Sequence, residues 1–271
     1  MTDPDAKDRI EFLEDHLRKN LDKVTADSVS DHACYSYRHA NRLFKSQKGE
    51  SIKSYVNKVR LQTSAEYLKY SSRSIADIAF TVGYESTAAL SKAFKKQYGM
   101  SPSAFRKTSK SEIANNHQVS KKYSVHRFDR WEIIAYKVTI SPSSTEAEYE
   151  AQTLVAYEKM NVGAVPWMLL WDEDPDLSLL TENRYFLGVS AGEAEGKPVG
   201  AKSIDIHGRY AIFDATVFEG YNYEIWHDIA FYLFEIDGKE MRDATYIEWF
   251  DADLRQSEGF SDPVKIGIAI R

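Results

Sequence analysis

A ten-residue segment occurs twice in this chain. RLFKSQKGES (42–51) aligns with KAFKKQYGMS (92–101) at an offset of 50 residues. Phe44/Phe94, Lys45/Lys95, Gln47/Gln97, Gly49/Gly99 and Ser51/Ser101 are identical, and Arg42/Lys92 exchanges like charges. Upstream, Cys34-Tyr35-Ser36 stands against Gly83-Tyr84-Glu85-Ser86, with one residue inserted. Repetition at a fixed spacing implies one supersecondary unit built twice.

Each copy reads as helix, tight turn, helix. In the first, Asp27–Ala33 is a short helix, Cys34-Tyr35 the turn, and Ser36 the N-cap of a helix reaching Gln47. In the second, Ser74 caps SIADIAFTV, where Ile75, Ile78, Ala79 and Val82 keep helical spacing. Gly83 makes the turn, Ser86 caps, and TAALSKAFKKQY follows. Gly49 and Gly99 stand where helix C-caps need a left-handed residue. Between the copies, residues 51–70 read as one long amphipathic helix with Ile52, Tyr55, Val56, Val59 and Tyr67 toward a core. An opening helix, Asp8–Asn20, and a last one beginning at Ser101-Pro102 complete the expected set.

Two helices joined by a short turn make a helix-turn-helix, whose second helix enters the DNA major groove. A single basic helix is more often a solvated face, but duplication with basic residues on both second helices favours nucleic acid. The first recognition helix offers Arg38, Asn41, Arg42 and Lys45. Arginine suits guanine O6/N7 and asparagine suits adenine N6/N7. The second offers Thr87, Ala88 and Lys92, with Lys95 and Lys96 for phosphates.

Charge agrees with this division. The whole chain of 271 residues is net −6, which by itself argues against DNA. Residues 1–122 carry 22 Lys+Arg against 14 Asp+Glu, a net of +8, whereas 123–271 carry 13 against 27, a net of −14. All five tryptophans fall in the acidic part. The reversal marks a domain boundary and gives each half a different class of partner. The polar stretch 107–122 reads as the join, giving a DNA-binding domain over 1–107, a linker over 108–122 and a second domain over 123–271. A single cysteine, Cys34, excludes an intrachain disulfide framework. With no apolar run of membrane-spanning length, a cytoplasmic protein without membrane contact is expected.

Residues 7–107 resemble the DNA-binding domain of the AraC/XylS family of bacterial transcription regulators. The most specific match is IADIAFTVGYESTAALSKAFKKQYGMSPSAFRK (75–107). The resemblance implies seven helices, with two helix-turn-helix units bridged by a long helix. It also implies a sequence-specific regulator of promoter DNA, with RNA polymerase as a further partner. Where that family usually has glycine in the first turn, this chain has Cys34, and a positive φ there would strain a side-chain-bearing residue.

From Tyr123 the pattern becomes α+β. Strand-like runs are YSVHRF, EIIAYKVTI, WMLLW, YFLGVSA, RYAIFDATVF, TYIEWF and VKIGIAI, with helices over 145–160 and 222–236. The order suggests two β-α-β-β units, helices on one face of the sheet, and a cleft between the units for a ligand. Strand alternation puts Trp167, Leu169 and Trp171 on one face, and Tyr246, Glu248 and Phe250 on one face. Glu248 lies in an otherwise aromatic strand, where an unpaired buried carboxylate is costly. It either meets a protein cation, faces water at an edge, or waits for a cationic ligand among aromatic rings.

Residues 124–271 are similar to the GyrI-like small-molecule-binding domain, on WMLLWDEDP, RYAIF, FEGYNYEIWHDI, Glu248-Trp249-Phe250 and the closing apolar strand. The resemblance implies that Glu248 lies at the base of a ligand pocket, with Trp167, Trp171, Tyr185, Tyr246 and Phe250 as its lining. Phe250 stands where that family commonly has tyrosine. The expectation is a one-component regulator with a lipophilic or cationic effector, no cofactor and no metal. A small-molecule hydrolase or a protein-interaction module in the acidic half are the alternatives. No nucleophile elbow, HExxH or phosphate loop supports an enzyme.

Overall fold

The computed structural model describes residues 4–113, 123–141, 143–161, 165–171, 179–180, 182–194, 196–214, 229, 232–233, 237–239, 241–251 and 265–271. The chain divides into two compact units, Met1–Lys69 with Arg73–Thr108 and Tyr70–Ser72 with Ser109–Arg271.

The first unit holds seven α-helices and one 3-10 turn: α1 (Pro4–Lys19), the 3-10 turn Leu21–Lys23, α2 (Ala26–Ala33), α3 (Tyr37–Lys48), α4 (Ile52–Tyr70), α5 (Ile75–Thr81), α6 (Thr87–Tyr98) and α7 (Pro102–Ile113). The helix starts follow their caps. Ser36, Ser74 and Ser86 accept from the backbone N–H of His39, Asp77 and Ala89. Thr25 and Ser28 form a reciprocal capping box for α2. Gly49 and Gly99 close α3 and α6 at φ +78° and +76°. Ile10, Leu13 and Leu17 of α1, Phe44 of α3 and Phe94 of α6 are fully buried. Helix α1 begins four residues before the expected Asp8, because Pro4 suits a first helical turn. Helix α7 runs on to Ile113, six residues into the stretch read as linker; residues 114–122 of that stretch lie outside the described residues.

The two turns differ in what they tolerate. Cys34 adopts φ +53°, the left-handed conformation, and its side chain is exposed. Gly83 adopts φ +85°, and a Cβ there would collide with the Leu21 carbonyl oxygen and lie 2.7 Å from Arg60 Nη2. The first turn therefore accepts a side chain at the cost of backbone strain, whereas the second has no room for one.

The second unit comprises β1 (Tyr123–Ile140), α8 (Glu146–Met160), β2 (Trp167–Trp171), β3 (Asn183–Ser190), β4 (Lys202–Asp214), β5 (Met241–Phe250) and β6 (Lys265–Ile270). The helix read over 222–236 lies outside the described residues, apart from Ile229, Tyr232 and Leu233. All strand pairs are antiparallel, in the closed order β1-β3-β2-β5-β6-β4, with β4 returning to β1. Closure into a barrel replaces the expected cleft between two β-α-β-β units. The two three-stranded halves meet at both edges, β2 with β5 and β4 with β1, so no edge stays unpaired. The two strands expected at the start are one, because the chain passes from Phe128 to Trp131 through a register shift instead of a turn.

Strand alternation assigns the two faces. Ile133, Ala135, Met168, Leu170, Ile206, Tyr210, Ile247 and Ala269 form one buried cluster. The opposite residues of β2 and β3 meet α8: Tyr157 packs edge-on to Trp167, and Tyr149 against Trp171 and Tyr185. A helix covers a closed barrel from outside, so the cluster is the lumen and the Trp167–Trp171–Tyr185 face is the outer wall.

Candidate nucleic-acid interface and effector site

Helix α3 presents its basic residues as a stripe. Arg38, Arg42 and Lys45 are exposed, at positions spaced by four and three along one face. Asn41, expected to read adenine, is half-buried, and its Oδ1 accepts the Ile52 backbone N–H at 3.0 Å. That N–H is one of the four that the start of a helix leaves unsatisfied. Bidentate adenine recognition would use the same oxygen, so the cap and the expected base contact draw on one group. On α6, Thr87, Ala88, Lys92, Lys95 and Lys96 are all exposed, while Leu90 and Phe94 of the same helix are buried. The other eight expected DNA residues form two exposed rows on two helices.

The scaffold behind α3 is polar and was not legible in the sequence. Glu14 of α1 is 3% exposed and takes Tyr55 Oη at 2.8 Å and Lys48 Nζ at 2.9 Å. Arg18 lies 3.7 Å from the same carboxylate and donates to Tyr55 Oη at 2.6 Å. The cluster ties the last turn of α3 to α1 and α4. Near the second turn, Tyr84 Oη donates to Asn57 Oδ1 at 3.0 Å, and Arg60 donates twice to the Leu21 carbonyl, at 2.7 and 3.2 Å. Burial raises the Tyr84 pKa, opposed by Arg60, and burial lowers that of Arg60. The signals were present only as an Arg18 four residues after Glu14 and a tyrosine in each turn.

In the second unit, the expected ligand residues come together. The β2–β5 register places Trp167 opposite Phe250, Leu169 opposite Glu248 and Trp171 opposite Tyr246. Trp167 stacks on Phe250 with centroids 4.0 Å apart and planes within 6°, and Trp171 lies parallel to Tyr246 at 5.8 Å. Tyr185 of β3 tilts against Trp171 at 4.9 Å. Glu248 is 6% exposed, which excludes the water-facing edge position, and its Oε2 accepts Trp171 Nε1 at 3.2 Å. The site lies on the outer wall where the two halves of the barrel join, so β pairing, not an open cleft, brings the halves together.

Helix α8 adds a residue the sequence reading missed. Tyr149, Thr153 and Tyr157, four apart, form its inner face. Thr153 Oγ1 and Tyr185 Oη are 2.6 Å apart. Burial pushes the Tyr149 hydroxyl well up from its ordinary pKa, and the neighbouring Glu248 carboxylate pushes it further in the same direction. Burial also raises Tyr185. Both phenols are therefore held neutral, Tyr149 beside the Glu248 carboxylate. Among the described residues, no group of three or more His, Cys, Asp or Glu could hold a metal ion, and no helix is long and apolar enough to cross a membrane.

Comparison with known proteins bears on the first unit. The helix-turn-helix domain family matches residues 29–108. The transcriptional regulator Rob of Salmonella typhimurium is 36% identical over 103 residues, 38% of this chain and 35% of that one. The Proteus vulgaris protein named probable transcription factor PqrA is 35% identical over 99 residues, 36% of this chain and 80% of that one. The right origin-binding protein of Escherichia coli K12 is 35% identical over 102 residues, 38% of this chain and 34% of that one. The chain thus spans about a third of the length of two of these relatives and most of the third. A solved DNA complex of the AdpA DNA-binding domain is similar over 42% of this chain and 100% of that one, with 24% identity and a TM-score of 0.36. With two capped helix-turn-helix units bridged by α4 and a relative matched over four-fifths of its length, the chain belongs to the AraC family of DNA-binding transcription regulators.

Proposed function

We propose that this protein is a one-component transcription regulator. Its first domain (1–107) binds promoter DNA, and its second (123–271), joined by a linker over 108–122, binds an effector. Helices α3 and α6 enter adjacent major-groove segments. Arg38 and Arg42 read guanine edges, Thr87 and Ala88 contact thymine methyl groups, and Lys45, Lys92, Lys95 and Lys96 hold phosphates. The observation that carries this reading is the exposed Arg38–Arg42–Lys45 stripe on a helix whose opposite face is locked by Phe44 and Asn41.

The second domain, read as GyrI-like, senses a lipophilic cation. Support comes from Glu248, a buried carboxylate bordered by Trp171, Tyr246, Trp167 and Phe250. A cation among electron-rich rings gains about 0.5–2 kcal/mol per good contact. Regulation then requires the effector to favour one of two states of the protein, whether the readout is DNA affinity or contact with RNA polymerase.

Selection of bound sequences from a random DNA pool, with and without tetraphenylphosphonium, tests both parts. The expected result is one enriched asymmetric site whose recovery changes with the cation in the native chain and not in Glu248→Gln. Failure to enrich any sequence removes the DNA assignment; enrichment indifferent to cations removes only the effector assignment.

A further inference from the structure

The lumen of the barrel carries a second aromatic group, on the opposite side of β5 from Glu248. Trp249 follows Glu248, and the pleat turns its indole to the other face. Trp131 of β1 lies with its ring plane within 4° of that of Trp249, centroids 6.0 Å apart. Phe128 stacks on Trp131 at 5.1 Å, and Trp131 Nε1 donates to Ser190 Oγ at 3.2 Å, which holds the ring in place. A cavity of about 380 Å³ opens over these rings, bordered by Phe128, Trp131, Ile212 and Trp249, with Asp214 and Lys265 at its edge.

Two features distinguish this cavity from an ordinary gap in packing. The centre of the lumen is sealed: Ile133, Met168, Leu170 and Ile247 are at most 3% exposed, whereas Phe128, Trp131, Ile212 and Trp249 stay partly open, as do Phe186 and Ile204 elsewhere on the same face. The wall beside Trp249 is Gly267, where a Cβ would lie 2.7 Å from two indole ring carbons. A glycine at that position is what makes room for the indole, which also lines the cavity. Flat rings with open faces accept another flat ring by offset stacking.

Charge then selects the ligand class. Lys265 and Asp214 are direct cross-strand partners, so the edge carries one charge of each sign and favours neither cation nor anion. The outer site has the opposite character, with a carboxylate among rings. We propose that the barrel lumen is a second small-molecule site, taking a flat, uncharged heteroaromatic ring stacked on Trp131 and Trp249. It uses none of the residues of the Glu248 site and does not depend on that site's binding a cation.

Three bicyclic probes of equal size test it on the full chain: 2-quinolinone (neutral), N-methylquinolinium (cationic) and quinoline-2-carboxylate (anionic). Titrations are followed by the indole N–H resonances of nitrogen-15-labelled tryptophan. The expected result is that 2-quinolinone moves the Trp131 and Trp249 signals and leaves Trp167 and Trp171 in place. Trp249→Leu should weaken its affinity about tenfold, the effect of removing one stacking ring, while Glu248→Gln leaves it unchanged. Unmoved Trp167 and Trp171 signals in the variant show that it is folded; if they move, Trp131→Phe takes its place. The proposal is overturned if the neutral probe shifts Trp167 and Trp171 instead, if Trp249→Leu (or Trp131→Phe in its place) binds it as the native chain does, if Glu248→Gln weakens it as much, if a charged probe binds more tightly, or if none binds.

Discussion

Asn41 Oδ1 accepts the backbone N–H of Ile52 at 3.0 Å, so a side chain on the first recognition helix caps the start of the bridging helix α4. The two residues are 11 apart, joined by the Gly49 turn. The bond fixes the angle between the helix that would read DNA and the helix that bridges to the second helix-turn-helix. Asn41→Ala removes the cap and should cost about 1–2 kcal/mol in urea denaturation. Asn41→Asp, which keeps the acceptor, should cost less. If Asn41→Ala leaves stability intact and instead relaxes selection at one adenine, Asn41 is a reader and not a cap.

Arg42, on the exposed side of the same helix, is the proposed reader. Arg42→Ala should weaken binding to the selected site by about 1–3 kcal/mol and relax preference at one base pair. Lys95→Ala should weaken all sequences alike and lower the magnitude of the salt slope by about 1. Fluorescence anisotropy across a salt series separates the two patterns. Intact discrimination in Arg42→Ala would remove α3 from direct readout.

Glu14 anchors α3 from behind. Glu14→Gln leaves Lys48 and Arg18 without their carboxylate, and because Lys48 keeps partial access to water the cost should be about 1–3 kcal/mol. The loss should appear in thermal unfolding before any change in the bases selected. A variant as stable as the native chain would mean that Tyr55 and Arg18 hold α3 without the charge.

The two turns should respond oppositely to substitution. Cys34→Gly relieves a left-handed residue with a side chain and should stabilise the first unit by about 1 kcal/mol. Gly83→Ala adds a Cβ where the Leu21 carbonyl and the Arg60 guanidinium already stand, and should cost more than about 2 kcal/mol. Parallel urea melts of both variants give the comparison, and equal effects would contradict it.

His16 should make the first unit sensitive to mild acid. Its ring stacks on His32 with centroids 3.3 Å apart, and burial, then the neighbouring His32, lowers its pKa below 6.5. The folded state therefore favours the neutral ring. Its contribution to stability is fully present above about pH 6.5 and is lost as pH falls through the lowered value. The melting temperature should drop between pH 7 and pH 5.5, and His16→Gln should flatten that drop. An identical pH profile in the variant would place the sensitivity elsewhere.

What the sequence alone determined is the part governed by short-range rules. The caps at Ser36, Ser74 and Ser86, the glycines closing α3 and α6, and the alternation along β2 and β5 all follow from residues within a turn or a pleat of one another. Those rules sufficed for the seven helices and for placing Trp167 with Trp171 and Tyr246 with Glu248. Tertiary structure decided which of those faces meet. The Asn41 cap, the Glu14 cluster spanning α1, α3 and α4, the seating of Tyr149 over Trp171, and the closure of β4 on β1 each join residues far apart in the chain. Hydrogen-bond partners and strand register at that distance depend on the packing of whole elements. Local propensity carries no information about that packing, which is why neither the cap that Asn41 makes on α4 nor the closure of the sheet into a barrel could be read from it.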